Sequence, residues 1–186
     1  MRTMGHGSMY FALACCLLLL QVFPKCRTNQ GLVAQWDDAT ITASVRARFL
    51  NDSALSPLNV AIRTDEGEVF LIGRVLDYQT RLRAESYARK VDAVWSVVNQ
   101  IRVGQLRERP GYSDFDIKNR VEARFVREPD IPSLNIEVVS FEGTVYLLGR
   151  VPEERTRMLA EEIAMGQVGV VAVENFLKVG EIGAGN

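Results

Sequence analysis

The segment Glu66 to Val75, EGEVFLIGRV, returns as EGTVYLLGRV at Glu142 to Val151. Sliding the chain against itself by 76 residues aligns Asp38–Gly104 with Asp114–Gly180 without a gap, and 25 of the 67 paired positions are identical. Shared composition does not produce such agreement, so the chain carries an internal duplication. A pattern read in one copy can therefore be checked in the other.

Each copy opens with apolar residues four apart, Ile41, Val45 and Phe49 or Ile117, Val121 and Phe125, a spacing that predicts a helix with one apolar face. Asp38 or Thr40, and Asp114 or Asp116, are the expected N-caps. After the turn-rich stretches NDSALSP and REPDIPS, alternation places Val60 and Ile62, or Ile136 and Val138, on one face of a strand. The tight turns TDEGE and SFEGT then lead into a second strand, with Gly67 and Gly143 supplying the positive φ of a hairpin. In that strand Val69, Leu71, Gly73 and Val75 share a face, as do Val145, Leu147, Gly149 and Val151. A strand glycine otherwise weakens a sheet, so Gly73 and Gly149 are expected to admit a close helix or a bulge. A second helix is predicted over about 77–91 and 153–167, with Ala84 and Ala88, or Ala160 and Ala164, lying close over the sheet. A third strand closes each copy, with Val97, Ile101 and Val103, or Val173, Leu177 and Val179, facing inward. The result is an α+β fold, helix-strand-strand-helix-strand, with two helices on one face of a three-stranded mixed sheet.

The valine and glycine spacing of the hairpins, Val60 to Val75 and Ile136 to Val151, resembles the BON family, as do the closing strands Val94 to Val103 and Val170 to Val179. Gly73 and Gly149 stand at the family's hallmark glycines. The tandem arrangement is similar to OsmY-like proteins and to dual-BON outer-membrane lipoproteins. That resemblance implies a stress-related cell-envelope protein that binds phospholipid or assists envelope proteins, without catalysis and without a cofactor.

Residues 1–26 form a leader whose apolar run, Met9 to Phe23, falls short of the about 20 residues of a membrane span, so export to the periplasm is expected. All three cysteines lie there, which leaves none for a disulfide within the repeats. Cys26 and Cys15 are the candidates for acylation, although Lys25 stands before Cys26 where a lipoprotein signal wants a small residue. A cleaved soluble form and an uncleaved N-terminal anchor remain open alternatives. The expected layout is a tether at 27–37, repeat one at 38–104, a linker at 105–113, repeat two at 114–180 and a tail at 181–186.

Chemistry narrows the function classes. The single histidine is His6 and no cysteine follows Cys26, so the repeats hold no Ser-His-Asp, Cys-His or zinc constellation, and no catalytic or metal-binding residue is expected. Glu66 and Glu142, beside turn glycines, are expected to be solvated, and Arg74, Arg150 and Trp95 to be rim residues. A net charge of −1 gives no argument for nucleic acid.

Two surfaces invite binding. Lys118, Arg120, Arg124 and Arg127 lie on the first helix of repeat two, where a basic stripe beside an apolar face suits an anionic phospholipid membrane. Repeat one carries net charge +1 and repeat two −4, so membrane contact has to be a local patch. The outward sheet faces carry Phe70, Ile72, Val139, Phe141, Tyr146 and Leu148, where water would favour polar residues. Either the repeats pack on each other through them, or an envelope protein client or oligomer partner covers them. The sequence leaves the oligomeric state open.

Overall fold

A computed structural model describes residues 37–55, 59–105 and 111–180 of the chain. The leader with Cys15 and Cys26, part of the linker and the tail lie outside the described residues. Trp36–Asn186 forms one compact unit.

Repeat one runs α1 (Asp38–Phe49), β1 (Val60–Asp65), β2 (Glu68–Val75), α2 (Tyr78–Arg89) and β3 (Ser96–Val103). Repeat two runs α3 (Asp114–Val126), a 3-10 turn at Ser133–Asn135, β4 (Ile136–Phe141), β5 (Thr144–Val151), α4 (Glu154–Met165), and a third strand broken into β6 (Ala172–Asn175) and β7 (Lys178–Val179). In each sheet the second strand is central, antiparallel to the first and parallel to the third. A parallel neighbour requires a crossover, which α2 and α4 provide.

The N-caps lie one residue before Asp38 and Asp114, the earlier of the two expected at each helix. Asp37 and Ser113 are the N-caps, accepting from the backbone N–H of Thr40 at 2.7 Å and of Asp116 at 3.1 Å. Asp38 and Asp114 do something else. The Asp38 carboxylate accepts from the N–H groups of Glu66 and Gly67, both at 2.8 Å, and Asp114 accepts from Glu142 at 2.7 Å and Gly143 at 2.9 Å. Both central turn residues have positive φ, 53° and 77° at Glu66 and Gly67 and 49° and 73° at Glu142 and Gly143, as a two-residue hairpin turn matched to strand twist requires. The helix start thus ties down a turn that a non-glycine residue enters at a steric cost.

Gly73 and Gly149 serve neither a helix nor a side chain. A Cβ on either would sit 2.1 Å from a backbone carbonyl oxygen, that of Asn59 or of Asn135, which leads into the first strand. At Gly73 the same carbonyl accepts from the Arg74 N–H at 2.9 Å, so the glycine lets the chain entering β1 close down on β2.

The strand faces are as the alternation indicates. Ile41, Val45, Phe49, Ile62, Val69, Leu71 and Ala84 meet in one core, and Ile117, Val121, Phe125, Val138, Val145, Leu147 and Ala160 in its equivalent. The expectation fails at the strand ends: Val103 and Val179 lie past the last core residues, Ile101 and Leu177, and are 41% and 45% exposed. A third apolar cluster joins Phe70 and Ile72 of repeat one to Val139, Tyr146 and Leu148 of repeat two, with Ala61, Val98, Phe141 and Phe176 around it. The layers are helices, sheet, sheet, helices, and the two helical layers face outward on opposite sides.

Candidate functional site

The apolar sheet faces flagged in the sequence cover each other. Phe70, Ile72, Tyr146 and Leu148 are at most 2% exposed, Val139 is buried and Phe141 half-buried, so this surface faces the other repeat and is closed to an outside partner. Ion pairs frame it. Arg74 grips Glu142 through two hydrogen bonds of 2.8 and 2.5 Å, and Arg102 reaches the same carboxylate at 3.2 Å and Thr144 Oγ1 at 2.7 Å. At positions 76 residues away the relation is inverted: Arg150 binds Glu66, while Lys178 binds Asp65 at 2.8 Å and lies 3.6 Å from Glu68. Residue i of one copy meets j of the other and j meets i, the signature of an isologous, two-fold contact.

One expectation changes here. Glu142 is a paired residue whose side chain is 10% exposed, where solvation was expected of a turn glutamate. Arg74 and Arg150, expected at a rim, stand at the rim of the seam and pair across it. The Arg150 hydrogen bond holds the Glu66 carboxyl below its ordinary range, against a smaller opposing effect of burial, and the Glu142 hydrogen bond raises Arg74. Burial alone would lower Lys178, but its hydrogen bond and charge contact with Asp65, aided by Glu68 and Glu66, leave it raised. Trp95 is 67% exposed and donates from Nε1 to the Glu66 carbonyl at 2.6 Å, bracing the same turn.

On α3 the four basic residues are dispersed among local partners. Lys118 lies 3.6 Å from Glu122, Arg124 pairs with Glu128 at 3.1 Å, and Arg127 is the exposed C-cap residue. Arg120 is different. Its guanidinium lies 4.2 Å from the centre of the Tyr112 ring, within cation–π range, and it donates to the Val168 carbonyl at 3.4 Å.

The same end of repeat two exposes apolar side chains that the charge pattern alone did not reveal, two of them, Tyr112 and Val168, on residues that Arg120 contacts. Tyr112, Phe115, Val168 and Val171 are 46%, 72%, 57% and 61% exposed. Tyr112 packs on Gly169, where a Cβ would meet it at 3.0 Å. Asp114, next to Phe115, and Val171, whose N–H donates to the Gly143 carbonyl at 2.8 Å, converge on one turn. Repeat one matches this end only in part: exposed Trp95 stands at the position of Val171, but Ala39 and Asp92 replace Phe115 and Val168. The signal lay in where the aligned copies differ, whereas the duplication draws attention to what they share.

Among the described residues no group of His, Cys, Asp and Glu is placed to hold a metal ion, and no helix is long and apolar enough to cross a membrane. The BON domain family matches the chain twice, over residues 37–105 and 113–181. The chain belongs to the BON family. This BON protein is 30% identical over 145 residues to osmotically-inducible protein Y of Escherichia coli K12, a match covering 76% of the chain and 72% of the relative. It is 28% identical over 145 residues to an uncharacterized protein in the gshII 5′ region of Anaplasma centrale, covering 77% and 95%. Among solved structures, the C-terminal domain of CdsD, a structural protein of the type III secretion system of Chlamydia trachomatis, matches with a TM-score of 0.32 at 12% identity, covering 77% of this chain and 67% of that one. Similarity at that level adds nothing to the assignment.

Proposed function

We propose that this BON protein is a non-catalytic envelope protein that binds anionic phospholipid through the end of repeat two formed by the start of α3 and the α4–β6 loop. The observation that carries the reading is the exposed set Tyr112, Phe115, Val168 and Val171 with Arg120 stacked on Tyr112. Apolar side chains that enter the headgroup region beside a guanidinium suit an anionic interface. Arg127 adds charge at the end of the same helix, Lys118 and Arg124 being paired with Glu122 and Glu128, while Asp114 is occupied in binding backbone N–H groups. Export to the periplasm, with attachment through an acylated Cys26 or Cys15 or through the leader, belongs to the same proposal. A protein related to osmotically-inducible protein Y fits a role in maintaining the envelope under stress. The alternative of a soluble chaperone for envelope proteins loses its main support, because the apolar sheet faces are closed against each other.

Flotation of residues 36–186 with phosphatidylglycerol-containing vesicles tests the reading. Both cores and the seam are built from residues 41 to 177, so this part is self-sufficient. A basic residue near an anionic surface contributes about 1 kcal/mol, so binding is expected to be weak and lost at high salt. The double variant Phe115→Ser and Arg120→Gln is expected to abolish it, whereas Leu50→Ser in repeat one, at a side chain 67% exposed, leaves it intact. Equal flotation of both variants, or none of the unmodified protein at low salt, overturns the proposal.

A further inference from the structure

The two outward helix layers descend from one ancestral surface, yet they differ in charge. Across Tyr78–Lys90 there are four basic residues and one acidic, whereas α4 holds three acidic and two basic. Much of this charge is bound internally: Arg83 to Asp52, Arg81 to the Asn99 carbonyl, Glu161 to Asn175. What faces water on α2 is Tyr78 and Leu82, 56% and 42% exposed, followed by Arg89, which pairs with Glu85 at 2.8 Å, and Lys90. On α4, Met158 and Met165, 61% and 48% exposed, flank Glu162 along an open groove of about 740 Å³ that also includes Arg157, Glu161 and Gly166. Position for position, Ser86, Arg89 and Lys90 of α2 have become Glu162, Met165 and Gly166 of α4. Both helices carry a groove at these positions, about 360 Å³ on α2 and 740 Å³ on α4, but one ends in Arg89 and Lys90 and the other sets Glu162 between two methionines.

We infer that α2 of one molecule docks in the α4 groove of a second copy of this chain. Complementary charge identifies the occupant. Four basic residues to one acidic across Tyr78–Lys90 face three acidic to two basic on α4, so these two helices of different copies attract. Methionine side chains adapt to the shape of an incoming apolar ridge such as Tyr78 and Leu82. The two surfaces lie on opposite sides of the molecule, so the contact is head-to-tail. Such a heterologous contact does not close on a dimer and extends into a chain or ring.

Sedimentation of residues 36–186 at increasing concentration in low salt tests this. The average mass is expected to rise past that of a dimer and to fall back toward the monomer in high salt. The Arg89→Gln/Lys90→Glu variant loses only the basic face and Met158→Lys/Glu162→Lys only the groove, so each alone is expected to remain monomeric. Mixed, they retain one intact contact and should form a dimer that grows no further. Unchanged far-ultraviolet circular dichroism and thermal transition show that each variant is folded. A monomer at every concentration overturns the inference, as does assembly of either single variant, and a mixture that stays monomeric does so as well. The α4 groove runs into the α4–β6 loop of the proposed membrane site, so the two readings are separated by variants: the changes in α2 and α4 leave Phe115 and Arg120 of α3 in place.

Discussion

Glu66 and Glu142 occupy the same turn position in the two copies, share a positive φ, and pair with the same kind of partner across the seam. Their surroundings separate them. The Glu66 side chain is 54% exposed and its Arg150 partner 30%, whereas Glu142 and Arg74 are 10% and 13% exposed and Arg102 also leans on Glu142. Breaking a pair that water can re-solvate costs little, but removing one member of a buried pair leaves the other charge stranded. Glu142→Gln is therefore expected to lower unfolding free energy by about 3 kcal/mol, and Glu66→Gln by less than about 1 kcal/mol. Urea denaturation of residues 36–186 at neutral pH measures both. Equal losses would show that burial does not set the difference. The sequence supplied the two glutamates and the arginines that follow the hairpin glycines, but their partners lie 68 and 84 residues away, beyond what spacing reveals.

At the scale of elements, Glu85 follows Ala84 on the crossover helix and Asn99 lies in the third strand, with Glu161 and Asn175 as their equivalents. The fold makes them one device. Asn175 donates to the Arg157 carbonyl and to Glu161, both at 3.0 Å, and accepts from the Leu177 N–H at 3.2 Å; Asn99 makes the same contacts with Arg81, Glu85 and Ile101. The asparagine fastens the crossover helix to the strand that follows it, where β6 and β7 are interrupted. Helices, strands and their inward faces were legible because periodicity is local and each copy repeats it. The Asn–Glu clasp, the reach of Asp38 to the hairpin turn and the carbonyl beneath Gly73 were not, since each joins residues that only the folded chain brings together. The candidate site was legible by half: the basic residues of α3 stand out by spacing, but Phe115, Val168 and Val171 come from segments whose meeting no single period encodes. Replacing Asn175 by Ala removes three hydrogen bonds, one to a carboxylate, and is expected to cost about 2–4 kcal/mol in the same urea assay. A loss below about 0.5 kcal/mol would mean that water replaces the clasp at no net cost.

For the whole molecule, the duplication creates a closed pair of domains whose apolar sheet faces satisfy each other. A sheet face covered by its own chain and one covered by a stranger look alike in sequence; the reciprocal ion pairs at the rim resolve which it is. They also make the seam sensitive to acid. Glu66 is held below its ordinary value of 4.5, mainly by its hydrogen bond to Arg150. A carboxyl whose folded value is depressed contributes stability that is fully present above 4.5 and is lost as pH falls through the folded value. The seam should therefore loosen at the Glu66 end below pH 4.5, and the exposure of this glutamate makes the effect modest and salt-sensitive. Trp95 reports on it, because its Nε1–H binds the Glu66 carbonyl and the only other tryptophan is Trp36. With Trp36→Phe in residues 36–186, Trp95 emission is expected to change on acidification before helical circular dichroism is lost. Adding Glu66→Gln should remove that early step, and high salt should shrink it. An emission that stays constant until the helices unfold would show that the Glu66–Arg150 pair is a bystander and that apolar packing alone holds the repeats together.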